Sequence, residues 1–427
     1  MFSLVFAVTL LLTLGTRLYL ATRQIRHIAL HRAEVPQDFR QQISLAAHQK
    51  AADYSISRTR LGMLAVALDA AIVLGFTLLG GLQLLDAGIQ SHLDGVWGGL
   101  ALMACVAFIS SVVELPLSWY RQFVLEARFG FNRMTPRLFW TDWVKGMVLG
   151  AVIGGPLVWV VLALMESAGP LWWVYAWGVW TAFSLLIMVL YPSLIAPLFN
   201  KFTPMETGEM RSRIENLMRR CGFSPAGLFV MDGSRRSAHG NAYFTGFGKA
   251  KRIVFFDTLL QRLSPGQIEA VLAHELGHFS KRHVLRHLLL SIAMSGLTLW
   301  VLSELMLRTW FYTGLGVTPR LIGDNHAMAL LLFFMVMPWF SFLLKPVMAA
   351  LSRKHEYEAD AYAAQQARAE DLISALVRLY EDNASTLTPD PLHSLFYDSH
   401  PPASLRIAHL KSLPPPSAQA AALPGAV

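Results

Sequence analysis

Charge is what this chain has least of. Only 15% of its 427 residues are Asp, Glu, Lys or Arg, against roughly 25% in an ordinary soluble domain, while 54% are hydrophobic. The shortfall argues against a soluble enzyme of usual composition and points to a bilayer. Cysteine is nearly missing too. Cys105 and Cys221 lie far apart, and Cys105 falls in an apolar run. Neither a disulfide framework nor a cysteine metal site follows. The N-terminus lacks a basic stretch ahead of its first apolar run, and Arg17 stands where signal cleavage would need small residues. That run reads as a membrane anchor, with Arg17 snorkelling at its end.

Seven apolar runs reach the length of about 20 residues needed to cross a membrane. They lie near 2–22, 61–86, 97–118, 146–166, 171–195, 285–308 and 327–350. Lys and Arg are absent from the loops after the second and fourth runs, and the loop after the sixth has Arg320 alone clear of its ends. Basic residues crowd the other loops: Arg23 to Arg58, Arg121 to Arg137, and Arg211 to Arg252. Basic loops stay cytoplasmic, so seven spans place the N-terminus outside and the C-terminus inside. The net charge of +8 is read as this flanking charge, and nucleic acid is not expected as a partner. The expected layout is a membrane region over 1–200, a cytoplasmic segment over 201–283, two further spans over 284–350 and a second cytoplasmic segment over 351–411. The Pro/Ala-rich tail, 412–427, reads as disordered.

The stretch VLAHELGHFSKRH, residues 271–283, carries the chemistry. Upstream, Ser264, Pro265 and Gln267 form a helix start signal. His274 and His278 are four apart, so both imidazoles leave one helical face and can share one zinc. Glu275 lies next to the first of them, where it can take a proton from water at the metal. The same five residues also fit an ordinary amphipathic helix, so a third ligand decides. SRKHEYEADAYAA, residues 352–364, follows the seventh run on the same side. Glu356 is the best candidate, with Asp360 one turn on, able to accept a hydrogen bond from a ligating histidine. His355 is the alternative, about 100° away around the helix. Glu358 points to another face and reads as solvated. His239, His283 and His287 read as structural or membrane-boundary residues. Asp69 and Glu114, inside apolar runs, call for a polar interior.

HExxH followed across a span by ExxxD resembles the CAAX prenyl protease 1 family of membrane zinc metalloproteases, of gluzincin type. The likeness extends through ELPLSWYRQFVLEARFGFNRMTPRLFWTDWVK (114–145), YPSLIAPLFNKFTPM (191–205), GSRRSAHGNAYFTGFG (233–248) and SHPPASLRI (399–407). The resemblance implies an all-α polytopic protein: seven transmembrane helices around a large interior chamber. A mainly helical zincin-like domain would carry a small β-hairpin or sheet. It further implies one zinc per chain on His274, His278 and Glu356, with Glu275 as general base and Asp360 behind the ligands.

NAYF and KRIVFF read as two short strands around a turn at Gly246 and Gly248. By the same resemblance, Asn241 and Ala242 are candidates for an edge that pairs with substrate backbone. His400 and Arg406 are candidates for stabilising the oxyanion, Arg406 alternatively for bonding Asp360. The implied substrate is a peptide or protein, with or without a lipid, hydrolysed at the cytoplasmic side of a membrane (the inner one, if the source is bacterial). Membrane lipid is the other expected partner. Two alternatives remain: a quality-control protease of the bacterial heat-shock type, and a transporter with a zinc-binding domain. The heat-shock type lacks the long N-terminal region, and the spans show no matching halves of the kind inverted repeats leave.

Overall fold

The computed structural model describes residues 1–223, 227–245, 252–320 and 325–413. The expected turn at Gly246 and Gly248, and the tail from 414 onward, lie outside the described residues. The membrane region begins with α1 (Phe2–Leu30), α2 (Leu45–Phe76), α3 (Gly81–Gln90) and α4 (Gly95–Tyr120). A π-helical segment, Arg121–Glu126, prolongs α4. Next come α5 (Pro136–Leu149) and α6 (Gly155–Ser167), joined by a π-helical turn into one span, and α7 (Trp172–Leu190). The segment over 201–283 holds α8 (Glu209–Arg220), α9 (Asp257–Leu260) and α10 (Pro265–Ser280). After it come α11 (His283–Leu305), α12 (Thr309–Gly314), α13 (His326–Ser341) and α14 (Lys345–Gln366). The chain closes with α15 (Ala369–Asp382), α16 (Pro391–Tyr397) and α17 (Ala403–Ser412).

Among the described residues, 7 helical stretches are long and apolar enough to span a bilayer. One boundary departs from expectation. The run 61–86 is broken at Thr77–Gly80: Gly80 adopts φ +81°, and a Cβ on Gly81 would lie 2.6 Å from the Gly75 carbonyl oxygen. Glycine alone takes this turn cheaply, so α2 ends at Phe76 and α3 doubles back. At its other end α2 starts at Leu45, capped by the Ser44 hydroxyl, which accepts the Ala47 N–H at 3.1 Å. Its first turns therefore project beyond the apolar run.

Each span packs against the next in sequence, and the seventh closes on the first. Yet the fourth and fifth spans are only 6% and 11% buried. Helices in a solid bundle would hide far more; a ring leaves inner and outer faces open. The ring is shut at one end. Phe6, Val73, Leu102, Leu162, Trp172 and Leu302 come from six different spans and meet the start of α13 in one core. Lipid is as apolar as these side chains, so close packing holds them. Gly99 shows it, since a Cβ there would come within 2.9 Å of the Ala327 Cβ.

At the other end of the spans stands the segment over 201–283. Its sheet runs in the order β1 (Phe202–Pro204), β2 (Gly227–Met231), β4 (Arg252–Phe256), β3 (Ala242–Thr245). The expected hairpin is the antiparallel pair β3–β4, with Ala242 opposite Phe255, and β4 runs parallel to β2. Ile253 and Phe255 point into a core with Ile268, Leu272, Leu276 and Leu376. The sheet thus backs onto α10, and β3 is left at the edge.

Asp390 ties the C-terminal segment to the first span. Its carboxylate accepts Arg23 Nε and Nη2 at 3.2 and 3.0 Å and caps α16 through the Leu392 and His393 N–H groups. Burial would raise this carboxyl, but the Arg23 and His393 hydrogen bonds outweigh it and hold it below the usual range. A depressed pKa contributes stability above the unfolded value of ~3.9, lost as pH falls through the folded one. Asp390→Asn is therefore expected to cost roughly 1–2 kcal/mol at pH 7 and to flatten the acid-side loss seen in wild type. Thermal unfolding in detergent between pH 7 and about pH 2.5, across the window below the unfolded value, checks this; parallel curves would remove the pair from the fold's support.

Candidate metal centre

The capping box forms as the sequence predicts. Ser264 Oγ accepts the Gln267 N–H at 3.4 Å, Gln267 Oε1 accepts the Ser264 N–H at 2.8 Å, and Pro265 opens α10. From this start the helical period carries His274 and His278 onto the face that meets α14. Gly277 lets the two helices meet closely. A Cβ there would lie 2.9 Å from Ala359 Cα and 3.0 Å from its carbonyl oxygen. Ala359 is itself fully buried. The crossing brings Glu356 and Asp360, on the two sides of Ala359, against the histidines.

Ligand atoms of His274, His278 and Glu356 all lie within 4.8 Å of one another. Nε2 of His274 and Nε2 of His278 are 3.3 Å apart, and each faces one Glu356 oxygen, at 3.5 and 3.3 Å. Glu356 is buried, and its Oε2 meets no hydrogen-bond geometry, an arrangement costly for a charged group unless a cation serves it. The local field points the same way. Burial would lower the His274 imidazole, but the hydrogen bond to Asp360 and the carboxylate of Glu356 facing it at 3.5 Å raise it to about 9. A pocket that favours positive charge on a buried ring also favours a cation beside it. Two imidazoles and one carboxylate, with room for water, are the donor set of a hydrolytic zinc, so the residues fit the metal.

Behind the donors, Asp360 accepts from His274 Nδ1 at 2.9 Å and is gripped by Arg406 Nε and Nη2 at 2.9 and 2.6 Å. Asp360 is fully buried and Arg406 nearly so. The alternative raised for Arg406 is therefore realised, while its Nη1 stays 3.4 Å from Glu356 Oε2. His355 lies off the donor face, stacked on His283 at 4.0 Å and 3.1 Å from His287.

One expectation needs correction, since Glu358 is not merely solvated; His283 takes the structural of its two readings. Arg282 takes φ +57°, folding the chain back after α10 so that α11 begins against α14. His283, 2% exposed, places Nδ1 at 3.0 Å from His278 Nδ1 and Nε2 at 2.8 Å from Glu358 Oε2. With His278 Nε2 turned to the donor triangle, its Nδ1–H donates to His283, whose Nε2–H donates to Glu358. The Cys-free HExxH pattern held the available signal, a histidine five positions after His278.

Glu275, His274, Asn241, Ala242, His400 and Arg406 line one cavity of about 320 Å³. Glu275 makes no hydrogen bond or ion pair among the described residues, so its carboxylate is free to accept a proton. His400 Nε2 lies 3.4 Å from Glu356 Oε1. Asn241 Oδ1 accepts the Ala242 N–H at 2.9 Å, and the Asn241 carbonyl accepts the Phe256 N–H at 3.0 Å, fixing the start of β3 at the cavity wall. Asn383, which sequence reasoning missed, also lines it.

Residues 24–201 match the family model described as CAAX prenyl protease N-terminal, five membrane helices, and residues 204–413 match peptidase family M48. The chain is 39% identical over 332 residues to the CAAX prenyl protease 1 homolog of Oryza sativa, covering 76% of each chain. It is 38% identical over 331 residues to CAAX prenyl protease 1 of Saccharomyces cerevisiae, covering 73% of this chain and 71% of that one. The crystal structure of S. mikatae Ste24p is similar with a TM-score of 0.89 at 32% identity, covering 96% of this chain and 98% of that one. These relatives are eukaryotic and lend no support to a bacterial source.

The geometry ranks substitutions. Glu356→Ala is expected to abolish tight metal binding. His283→Ala and Glu358→Ala should weaken it by about 10–100-fold, and Glu358→Gln, which keeps an acceptor, by less. Chelator competition with zinc on purified protein measures the order; a His283→Ala protein that holds zinc like wild type would remove His283 from the support of the metal.

Proposed function

The chain belongs to the CAAX prenyl protease 1 family, and on that footing we propose that it cleaves C-terminal tails from prenylated proteins at one zinc held by His274, His278 and Glu356. It is a multi-pass integral membrane metalloprotease acting on peptide or protein substrates. The observation that carries the site assignment is the buried donor triangle beside an unengaged carboxylate: Glu356 Oε2 without a hydrogen bond and Glu275 in the same cavity as His274.

Bound there, zinc supplies Lewis acidity toward the scissile carbonyl and lowers the pKa of water. The protein's own groups do the rest. The edge at Asn241 and Ala242 takes the peptide as an added strand, which holds backbone without reading side chains. Glu275 removes a proton from the attacking water at a carboxylate oxygen and returns it to the leaving amine. His400, and Arg406 through Nη1, offer donors to the negative charge growing on the carbonyl oxygen. Asp360 keeps His274 in one tautomer and aims its ring. The bacterial heat-shock type of protease is disfavoured by the N-terminal match over 24–201.

Glu275→Ala should keep the metal and lose cleavage, because it removes the base and no ligand. His278→Ala should lose both. Zinc analysis coupled to cleavage of a farnesylated CAAX peptide and its unmodified twin tests this together with the substrate class. Near-wild-type hydrolysis by Glu275→Ala would overturn the mechanism, and equal turnover of the two peptides would overturn the prenyl preference.

The active side is proposed to be cytoplasmic, on the strength of the lopsided basic loops. Single cysteines at Ser91 and Thr318 should react with an impermeant reagent in intact cells. Those at Ser212 and Ser417 should react only after permeabilisation. Labelling at Ser417 in intact cells would reverse the topology.

A further inference from the structure

The loop that feeds the edge strand β3 is built largely on the membrane half of the chain. Ala238 N–H donates to the Phe131 carbonyl at 3.0 Å, Arg133 N–H to the Arg236 carbonyl at 3.1 Å, and Asn132 bridges Ser237 in antiparallel fashion. Arg236 adds a two-pronged ion pair to Asp142 of α5, at 2.9 and 3.0 Å. Residues 131–133 follow directly on the third span. The peptidase segment is therefore docked onto that span by backbone as well as side chains.

At the top of this seam sits His239, next to Gly240, Asn241 and Ala242. Its ring stacks on Phe131, centroids 4.3 Å apart and planes 22° off parallel. Nε2 lies 3.5 Å from Glu126 Oε2 and 3.4 Å from the Tyr54 hydroxyl, which donates to Glu126 Oε1 at 2.7 Å. Glu126 ends the π-helical turn of the third span and Tyr54 belongs to α2, so both anchors are membrane-half residues. On the other ring edge, Asn383 Oδ1 accepts from His239 Nδ1–H at 3.1 Å and from the Gly240 N–H at 3.2 Å. The His239 carbonyl takes the Thr258 hydroxyl at 2.9 Å. The backbone N–H of His239 donates to Ser237 Oγ at 3.2 Å, so every polar atom of the residue is committed. None of these groups touches the metal donors. What they fix is the height and tilt of Gly240–Ala242 at the wall of the cavity that holds Glu275.

We propose that Glu126 and His239 are positioning residues for the substrate: through them the N-terminal membrane half sets the edge along which a peptide backbone pairs. This rests on the reading of Asn241–Ala242 as a substrate edge. The mechanical case is direct. Strand addition needs N–H and C=O groups aligned along several residues, and a displaced edge forfeits one or two of those backbone hydrogen bonds, weakening the hold on the peptide by about 10-fold. Among the described residues β4 is the one strand that pairs with β3, and the seam at His239 adds a second hold on its leading end beside the Phe256 N–H on the Asn241 carbonyl.

The test uses the full-length protein in detergent with a farnesylated CAAX peptide as substrate. Glu126→Leu and His239→Leu are expected to raise KM by about 10-fold or more with kcat within about twofold of wild type, bound zinc at wild-type stoichiometry and a thermal midpoint little changed. Glu126→Gln, which still accepts from Tyr54, should recover most of the KM. Unchanged KM in both leucine variants would overturn the proposal. So would a fall in kcat and zinc content together, the mark of a general structural role. A second arm isolates the underlying reading: backbone N-methylation of the peptide should raise its KM on wild type. If it does not, the edge itself is misassigned. If it does while the leucine variants behave as wild type, the edge stands and only the role of Glu126 and His239 falls.

Discussion

The contact between Gly277 and Ala359 governs the chemistry of this molecule. Two helices, one closing the peptidase segment and one continuing the last span, cross where neither has a side chain to spare: a single added carbon at 277 would strike the backbone of 359. Only at that separation do His274, His278 and Glu356 share a point, and only there does Asp360 reach the back of His274. Overpacked cores lose about 1–3 kcal/mol. Here the larger loss would be geometric, because a metal tolerates errors of about 0.2 Å in its donors.

That crossing also concentrates buried charge, and the signs are arranged to cancel. Glu356 and Asp360 are negative, Arg406 is positive, and a divalent cation held there would leave the group one unit positive. A Glu275 carboxylate would bring the sum to zero. In the proposed step the proton it takes from water would be matched by the negative unit on the substrate oxygen, so the sum would stay unchanged. A site with low dielectric walls resists any step that creates net charge; this one needs none. Arg406 is thus best understood as the counter-charge that permits two carboxylates in one dry place. Its bidentate hold on Asp360 makes that pairing rigid.

Much of this was legible in the sequence because it is local or periodic. Seven apolar runs, the capping box before HExxH, and the four-residue spacings of His274–His278 and Glu356–Asp360 all follow from helix geometry. The basic loops add a direction. The break at Thr77–Gly80 escaped because apolar composition is continuous across it, and only the backbone angle at Gly80 reveals the turn. Helix ends past the apolar runs escaped for the opposite reason: α2 is polar where it leaves the membrane region. The partnership of His283 with Glu358, 75 residues apart, depends on the reversal at Arg282, and spacing on one helix says nothing about it. His239 was read as structural, and its location between Glu126 and Asn383 is a property of three distant segments.

The packed end of the ring bears on how the cell can tolerate such a protein. Seven helices around a wet interior would be a pore for ions if both ends stood open, and a pore would collapse the electrochemical gradient of whichever membrane it occupied. The cluster that joins Phe6, Val73, Leu102, Leu162, Trp172 and Leu302 to the start of α13 closes that end with hydrophobic side chains, among which a hydrated ion would shed its water without replacement. Insulation at that end is kept by packing and needs no moving gate.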